Sequence, residues 1–265
     1  MFRRLPPFGG DSRAVAEILN GVMDGKTNNT GTITLNTGNA TTTSLVDERI
    51  SIDTKIVLIP FSDAAESDSA PYAQFSDYND QAATTTTTEN ILGLDTTDMS
   101  SNVYLSNGDR INFRNTGKYA IQFSIQVVNS TNAVQSLDIW FKKNSSNIAK
   151  SNSKFGIKQR KGVGDPSQLI AATMVFFDLT AGDYIQLAYR PTDIGVSFEH
   201  FAAVNASAGV TPAIPETPTA FVTVQYIAPH PYSNVYVESQ TSGSAVISHF
   251  ANDTANKTYA YILIG

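Results

Sequence analysis

The stretch Leu169–Tyr189, LIAATMVFFDLTAGDYIQLAY, constrains the fold more than any other part of the chain. Residues 169–179 are apolar almost throughout and rich in β-branched and aromatic side chains, which predicts a strand buried on both faces. The next four residues, TAGD, predict a turn because Gly182 can adopt a positive φ. A second strand follows, so we expect a β-hairpin. A hairpin this apolar needs a second sheet to cover it.

Composition favours an all-β protein that is stabilised by burial or by association. Charged residues make up only 16% of the 265 residues, which is typical of many short strands joined by polar turns. The chain has no cysteine, so neither a disulfide nor a cysteine-based metal site can stabilise it. The net charge of −6 disfavours binding to nucleic acid or to an anionic membrane surface.

The sequence contains no segment that predicts membrane insertion. No apolar h-region follows the two arginines near the start, so residues 1–10 do not form a signal peptide. No apolar run reaches the roughly 18 residues that a membrane helix needs. We therefore expect a soluble protein that is made in a cytoplasm.

Residues 1–10 are predicted to form an arm, because their prolines and glycines exclude regular structure. Such an arm is either disordered or docked in a groove on a neighbour. Apolar anchors within it favour docking: Phe2, Leu5 and Phe8.

One amphipathic helix is predicted after the arm, from Asp11 to Asp24. Asp11 or Ser12 can cap its start, and Gly25 can end it. Helical spacing places five apolar residues on one stripe: Val15, Ile18, Leu19, Val22 and Met23. That stripe packs either on its own domain or against symmetry mates near a three-fold axis.

The two ends of the chain are predicted to form one small β-domain around an inserted block. Residues 25–62 and 233–265 contain short apolar strands that cannot form a core alone. Pairing of the two segments solves this problem and leaves residues 103–232 as an inserted domain. Residues 63–102 are acidic and threonine-rich, which predicts a linker and surface loops.

Two segments of the insert alternate apolar and polar residues: GKYAIQFSIQV at 117–127 and LDIWFKKN at 137–144. This is the pattern of strands with one core face and one polar face. Trp140 falls on the outer face, which indicates cover by a loop or by a subunit.

The inserted block resembles the C1q/TNF-like jelly roll. The resemblance rests on these two segments and on LTAGDYIQL at 179–187. It implies an antiparallel jelly-roll β-sandwich and a compact homotrimer that buries the aromatic residues of one sheet at the three-fold axis. We therefore expect an interface that includes Trp140, Tyr184 and Tyr189.

The outer, split part resembles a small β-domain of tailed-bacteriophage virion proteins. The resemblance rests on DGKTNNTGTITL at 24–35, KIVLIPF at 55–61 and the strands of 235–265. It implies a virion protein, either a tail or neck fibre or collar component, or a capsid decoration or head-fibre protein. Its expected partners are further copies of itself and a capsid, portal, adaptor or tail protein.

The sequence predicts no catalytic residue, no metal site and no cofactor. His200, His230 and His249 lack metal-binding spacing, and there is no G-x-S-x-G, Walker or G-x-G-x-x-G motif. Asp178 and Asp183 flank the turn of the central stretch. They either cap that turn or form a glycosidase pair, and the capping role is favoured.

Two loops carry further candidate sites. The acidic loop Asp63–Asp80 is either solvated or binds calcium, although it lacks EF-hand spacing. Lys158, Arg160 and Lys161 form a basic loop that is either simply exposed or contacts an acidic subunit or a glycan.

These observations predict a non-enzymatic virion structural protein that assembles as a homotrimer. The arm, the helix and the split domain are expected to anchor it while the jelly roll projects. A host-surface glycan-binding module is the alternative, and a polysaccharide hydrolase is a third possibility.

Overall fold

The computed structural model describes residues 11–23, 29–62, 70–206, 212–228, 235–252 and 256–265. Within these residues the chain forms one helix and twenty strands. The strands pair in antiparallel sheets that form sandwich-like layers, which confirms the predicted all-β class with one short helix.

The chain divides into two compact units, one of which is discontinuous in sequence. The split unit comprises Met1–Asp68 and Ser233–Gly265, and the sandwich unit comprises Ser69–Tyr232. The inserted unit therefore begins at Ser69 and not at residue 103. The prediction of a linker was wrong for residues 70–102, because four short strands in that segment pair with strands of the two sheets. One of them, Tyr72–Asp77, also places Ala73 and Phe75 in the core.

The split unit contains helix α1 (Ser12–Met23). Asp11 caps the helix, since its Oδ1 accepts a hydrogen bond from a backbone N–H of the first turn at 2.7 Å. Val15 and Ile18 are partly covered, while Leu19 is 56% exposed. The other predicted anchors and the predicted end of the helix lie outside the described side chains: Phe2, Leu5, Phe8, Val22, Met23 and Gly25.

The split unit also contains six strands: β1 (Thr30–Thr34), β2 (Ala40–Val46), β3 (Lys55–Pro60), β18 (Tyr236–Thr241), β19 (Ser244–Asn252) and β20 (Thr258–Ile264). They form two three-stranded sheets, ordered β1-β20-β3 and β18-β19-β2. Each sheet combines strands from both ends of the chain. Ile33 and Tyr261 from one sheet share a buried cluster with Leu45 and Ile247 from the other.

The sandwich unit contains the remaining strands: β4 (Tyr72–Asp77), β5 (Gln81–Ala82), β6 (Asn90–Ile91), β7 (Thr96–Ser101), β8 (Val103–Ser106), β9 (Arg110–Phe113), β10 (Gly117–Asn129), β11 (Gln135–Lys143), β12 (Ser146–Asn147), β13 (Ser153–Ile157), β14 (Ser167–Leu179), β15 (Tyr184–Pro191), β16 (Val196–Phe198) and β17 (Ala220–Ala228). Between β8 and β9, Asn107 and Gly108 both have positive φ, as the predicted tight turn requires.

Two sheets enclose the core of the sandwich unit. The β10 sheet is ordered β5-β16-β10-β17-β4-β7, with β14 also paired to β10. The β11 sheet is ordered β12-β11-β15-β9-β8, with β13 beside β11 and β6 beside β15. Phe123 of β10 and Phe141 of β11 are fully buried, and their ring centroids lie 5.8 Å apart between the sheets.

The central stretch forms a corner between the sheets and not a β-hairpin. The turn is as predicted, with Gly182 at φ 91° and a hydrogen bond of 2.9 Å from the Asp183 N–H to the Thr180 carbonyl. However, β14 pairs with β10 while β15 pairs with β11. The prediction of a hairpin was wrong because apolar strands on both sides of a turn occur equally where the chain crosses from one layer to the other.

Candidate interaction surface

The outer side of β14 carries three large exposed apolar side chains of the β10 sheet. Exposure alternates along this strand, so it is buried on one face only and not on both as predicted. Phe177 and Leu179 point into the core, whereas Ile170, Met174 and Phe176 are 60%, 52% and 64% exposed. Successive outward residues of a strand lie on one face. Ala172 is the outward residue between Ile170 and Met174, so the row from Ile170 to Phe176 is apolar throughout.

β14 is also an edge strand. It pairs with β10 along thirteen residues, and the described part of the chain places no strand on its other side. A long apolar edge strand is a template for association with another chain. The sandwich unit therefore offers both an apolar face and an unpaired backbone edge at the same position.

The apolar row continues into an uncharged surface at the centre of the sheet. Phe176 and Met174 lie opposite Ala120 and Gln122 of β10. The next outward residue of β10 is Ser124. A surface without charge at its centre can meet a second copy of itself without repulsion between like charges.

Two more exposed apolar side chains lie toward the far edge of the same face. Residues that pair across neighbouring strands lie on the same face of the sheet. The line of paired residues that starts at Phe176 on β14 reaches Tyr72 on β4. The line that starts at Met174 on β14 reaches Met99 on β7. Tyr72 is 40% exposed and Met99 is 54% exposed. The carboxylate of Asp98 at this edge accepts hydrogen bonds from Ser76 and Gln74 at 3.0 and 3.3 Å.

The predicted interface residues lie on the other sheet and do not share one face. Tyr189 is only 4% exposed, and its ring centroid lies 4.6 Å from that of Phe198 in the core. The prediction of Tyr189 at an interface was therefore wrong. Tyr184 and Trp140 point outward and are partly exposed. The Tyr184 hydroxyl hydrogen bonds to Ser145 at 2.7 Å, and the Trp140 Nε1–H donates to Asn147 Oδ1 at 2.8 Å.

Asp183 belongs to the corner of the sandwich. Burial raises the pKa of its carboxyl, but the side chain of Lys143, the Thr180 N–H and the Asn144 amide stabilise the carboxylate more, and the net pKa is lowered. The Thr180 N–H and the Asn144 amide both donate to it at 2.7 Å. Asp178 is exposed and lies opposite Lys118. Asp183 therefore has the predicted role at the turn.

The remaining candidates have local partners. Arg160 donates to Asn132 at 2.7 Å, and Lys161 lies 3.7 Å from Asp165. His200 lies 3.4 Å from Glu216 and His249 lies 2.9 Å from Thr43, while His230 and residues 63–69 are outside the described residues. No group of three or more metal-binding side chains occurs among the residues that the structure describes.

Sequence reasoning missed the apolar row on β14. The signal was present, because the polar residues Gln168 and Asp178 begin and end the outward-facing positions of the strand. Outward residues that begin and end with polar side chains indicate a strand with one solvent-facing side. The apolar residues between them masked this alternation.

Comparison with known proteins gives no relative: no protein-family model matches the chain, and no curated protein sequence matches it. Across the described residues, no helix is both long and apolar enough to cross a membrane.

Proposed function

We propose that the chain is a non-enzymatic structural protein that assembles as a homotrimer through the outer face of the β10 sheet. The exposed row Ile170, Met174 and Phe176 carries this proposal. Single exposed apolar residues are normal on a protein surface, but a continuous row on an edge strand is typical of an interaction site. Burying the row stabilises an assembly by roughly 25 cal/mol per Å² before the costs of association.

The partner that fits this face best is a second copy of the same face. Its centre is uncharged, and its two edges carry different exposed apolar side chains, with Phe176 at one edge and Met99 at the other. Contact between two different edges is heterologous, and a heterologous contact closes into a ring when its rotation permits. Three copies per ring is the number that the C1q/TNF-like resemblance implies.

The proposed location is a tailed-phage virion, where the split unit and the N-terminal helix attach the trimer to a capsid, portal, adaptor or tail protein. The resemblance of residues 24–35, 55–61 and 235–265 to virion β-domains supports this location. The exposure of Leu19 on α1 supports attachment through the helix. A tail fibre, neck fibre or collar position is proposed first, and capsid decoration is the alternative.

Light scattering of the purified chain tests the assembly. We expect a mass near three times 28.5 kDa for the wild type, and a monomer for Phe176→Asp and for Met174→Lys. Val163→Asp is the matched control, because Val163 is apolar and 90% exposed but lies in the loop before β14 and not on its outer face. A monomeric wild type, or variants that keep the wild-type mass, would refute the proposed interface.

A separate experiment tests the location. Particles of a phage that encodes this chain should contain it after purification by density, and a chain lacking residues 1–24 should fold but fail to join them. Normal incorporation of the shortened chain would contradict attachment through the arm and helix. Absence of the full chain from purified particles would contradict the virion role altogether.

A further inference from the structure

An open cleft of about 590 Å³ lies on the outer face of the β11 sheet, around the single tryptophan of the chain. Its lining includes Trp140, Asp138, Asn152, Lys154 and Arg190. We infer that this cleft binds an acidic saccharide, with Trp140 beneath the sugar ring and Arg190 on its carboxylate. This site is separate from the proposed self-association face, which is on the other sheet.

Trp140 is a fixed aromatic platform. Its Nε1–H donates to Asn147 Oδ1 at 2.8 Å, which sets the orientation of the indole, and the side chain remains partly exposed. The face of an indole carries partial negative charge, so it attracts the C–H groups on the apolar side of a sugar ring. A partly exposed aromatic side chain in the lining of a cleft, with polar groups around it, is suited to such a ligand.

The wall beside Trp140 is held in place by a buried hydroxyl. Ser151 is 2% exposed, and its Oγ accepts from the Phe141 N–H at 3.0 Å and donates to the Ile148 carbonyl at 2.9 Å. The next residue, Asn152, donates to Asp138 Oδ1 at 3.1 Å. A site whose walls are already bonded to the sheet loses little conformational entropy when a ligand binds.

The cleft presents positive charge. Asp138 Oδ2 lies 3.7 Å from Arg190 Nη2 and 3.9 Å from Lys154 Nζ, distances that are too long for hydrogen bonds. The Arg190 and Lys154 side chains are 50% and 63% exposed, against 14% for Asp138. Lys150 adds a third exposed cation to the lining. The planar guanidinium of Arg190 matches a carboxylate in a bidentate contact.

The other carboxylate of the lining is already neutralised. Glu89 forms an ion pair with Lys142, whose side chain is 9% exposed. Three exposed cations therefore face one largely covered carboxylate, in a chain whose net charge is −6. This local reversal of charge favours an anionic ligand.

A saccharide fits the cleft better than a nucleic acid does. Sugar hydroxyls can donate to the Asp138 carboxylate and accept from the Asn152 amide. Single-stranded nucleic acid also needs several aromatic side chains for successive bases, and the lining contains only Trp140 as an aromatic residue.

Tryptophan fluorescence of the full chain reports this site directly, because Trp140 is the only tryptophan. The probes are trigalacturonic acid and sialyllactose as acidic saccharides, maltotriose as a neutral one and a short oligothymidylate. Calorimetry with the same probes detects binding that leaves the fluorescence unchanged. We expect saturable binding of at least one acidic saccharide and binding of maltotriose that is about tenfold weaker or undetectable.

Variants then test the residues. We expect Arg190→Ala to weaken acidic-saccharide binding about tenfold or more, since a hydrogen bond to a charged group is lost. Trp140→Phe should weaken binding by calorimetry, because the smaller ring covers less of the sugar. Lys55→Ala is the matched control, since it removes an exposed cation from the split unit. Thermal unfolding of each variant checks that it is folded.

Three results would overturn the inference. They are no binding of either acidic saccharide by fluorescence or calorimetry, equal effects of Arg190→Ala and Lys55→Ala, and tighter binding of maltotriose or oligothymidylate than of the acidic probes. The oligomeric mass is measured on the same samples, so failure of this site is distinguishable from failure of the proposed assembly.

Discussion

The two outer faces of the sandwich unit differ in charge although they cover the same core. The β10 sheet presents Ile170, Met174 and Phe176 beside uncharged neighbours. The β11 sheet presents Lys154 and Arg190 around a tryptophan that is held by a hydrogen bond. Inward residues of both sheets are apolar and decide stability, while the outward residues decide which contacts each face can make. The fold alone therefore does not assign a function to either face.

The largest expected difference in the free energy of unfolding is between a variant on the inner face of the β10 sheet and a variant on its outer face. Phe123 is 0% exposed and Phe176 is 64% exposed on neighbouring strands. Phe123→Ala should lower the free energy of unfolding by about 3–5 kcal/mol because it leaves a cavity. Phe176→Ala should leave the monomer within about 0.5 kcal/mol of the wild type and weaken association instead. Urea unfolding of monomeric samples measures the difference, and equal losses would show that Phe176 is not an outward residue of the monomer.

A smaller effect is expected at the ion pair that anchors the loop over the β11 sheet. Glu89→Ala leaves the Lys142 ammonium largely buried without its partner, so we expect a loss of about 1–3 kcal/mol. Asp165→Ala is the control, because the Lys161–Asp165 pair is 70% and 62% exposed and exposed pairs contribute little. Urea unfolding of both variants provides the test. Equal losses would place Lys142 in contact with solvent.

Acid should weaken the corner that joins the two sheets. The lowered pKa of Asp183 means that the unfolded chain binds a proton at a higher pH than the folded chain does. The stability that the carboxylate provides is therefore present above its ordinary value of 3.8 and is lost as the pH falls below that value.

Asp183→Asn tests this contribution. We expect a loss of about 1–2 kcal/mol at neutral pH, because the hydrogen bonds to a charged acceptor weaken, and a flatter stability profile below about pH 4. Chemical unfolding across this pH range measures both. Parallel profiles for wild type and variant would assign the acid sensitivity to other carboxyl groups.

The smallest expected effect is that of ionic strength, which should differ between saccharide binding at the β11 sheet and assembly through the β10 sheet. Raising the ionic strength from about 0.01 to about 1 M shortens the Debye length from about 30 to about 3 Å. Binding of an acidic saccharide at the β11 sheet should weaken, while the mass of the assembly should stay constant because its contacts are apolar. Dissociation of the assembly by salt would show that charge and not burial maintains it.

Alternation of apolar and polar residues gave the correct class and the correct inner faces. The segments 117–127 and 137–144 form β10 and most of β11 with the expected buried positions. The same alternation argues against the prediction that Tyr184 and Tyr189 belong to one interface. They are an odd number of positions apart on β15, so they point to opposite faces, and only Tyr184 can reach a surface.

Three features of the structure could not be predicted from the local sequence: the exposed face of β14, the strands of residues 70–102 and the Trp140 cleft. The apolar run 169–179 is compatible both with full burial and with burial of one face against a partner chain. The strands of residues 70–102 are recognised by backbone pairing, as in β7, whose sequence TTDMSS has no apolar alternation. The Trp140 cleft depends on which loops meet above β11, and spacing within one strand does not specify those neighbours.

The split unit has a consequence for the order of events during synthesis. Asn29 hydrogen bonds to Leu263 across 234 positions, and β20 is the central strand of its sheet. During translation, β1 and β3 therefore leave the ribosome long before β20, the strand that must lie between them, has been synthesised. The sandwich unit can fold while translation continues, but residues 29–62 must wait for the emergence of 258–264. In the cell, the split unit can therefore fold only after residues 258–264 have been synthesised.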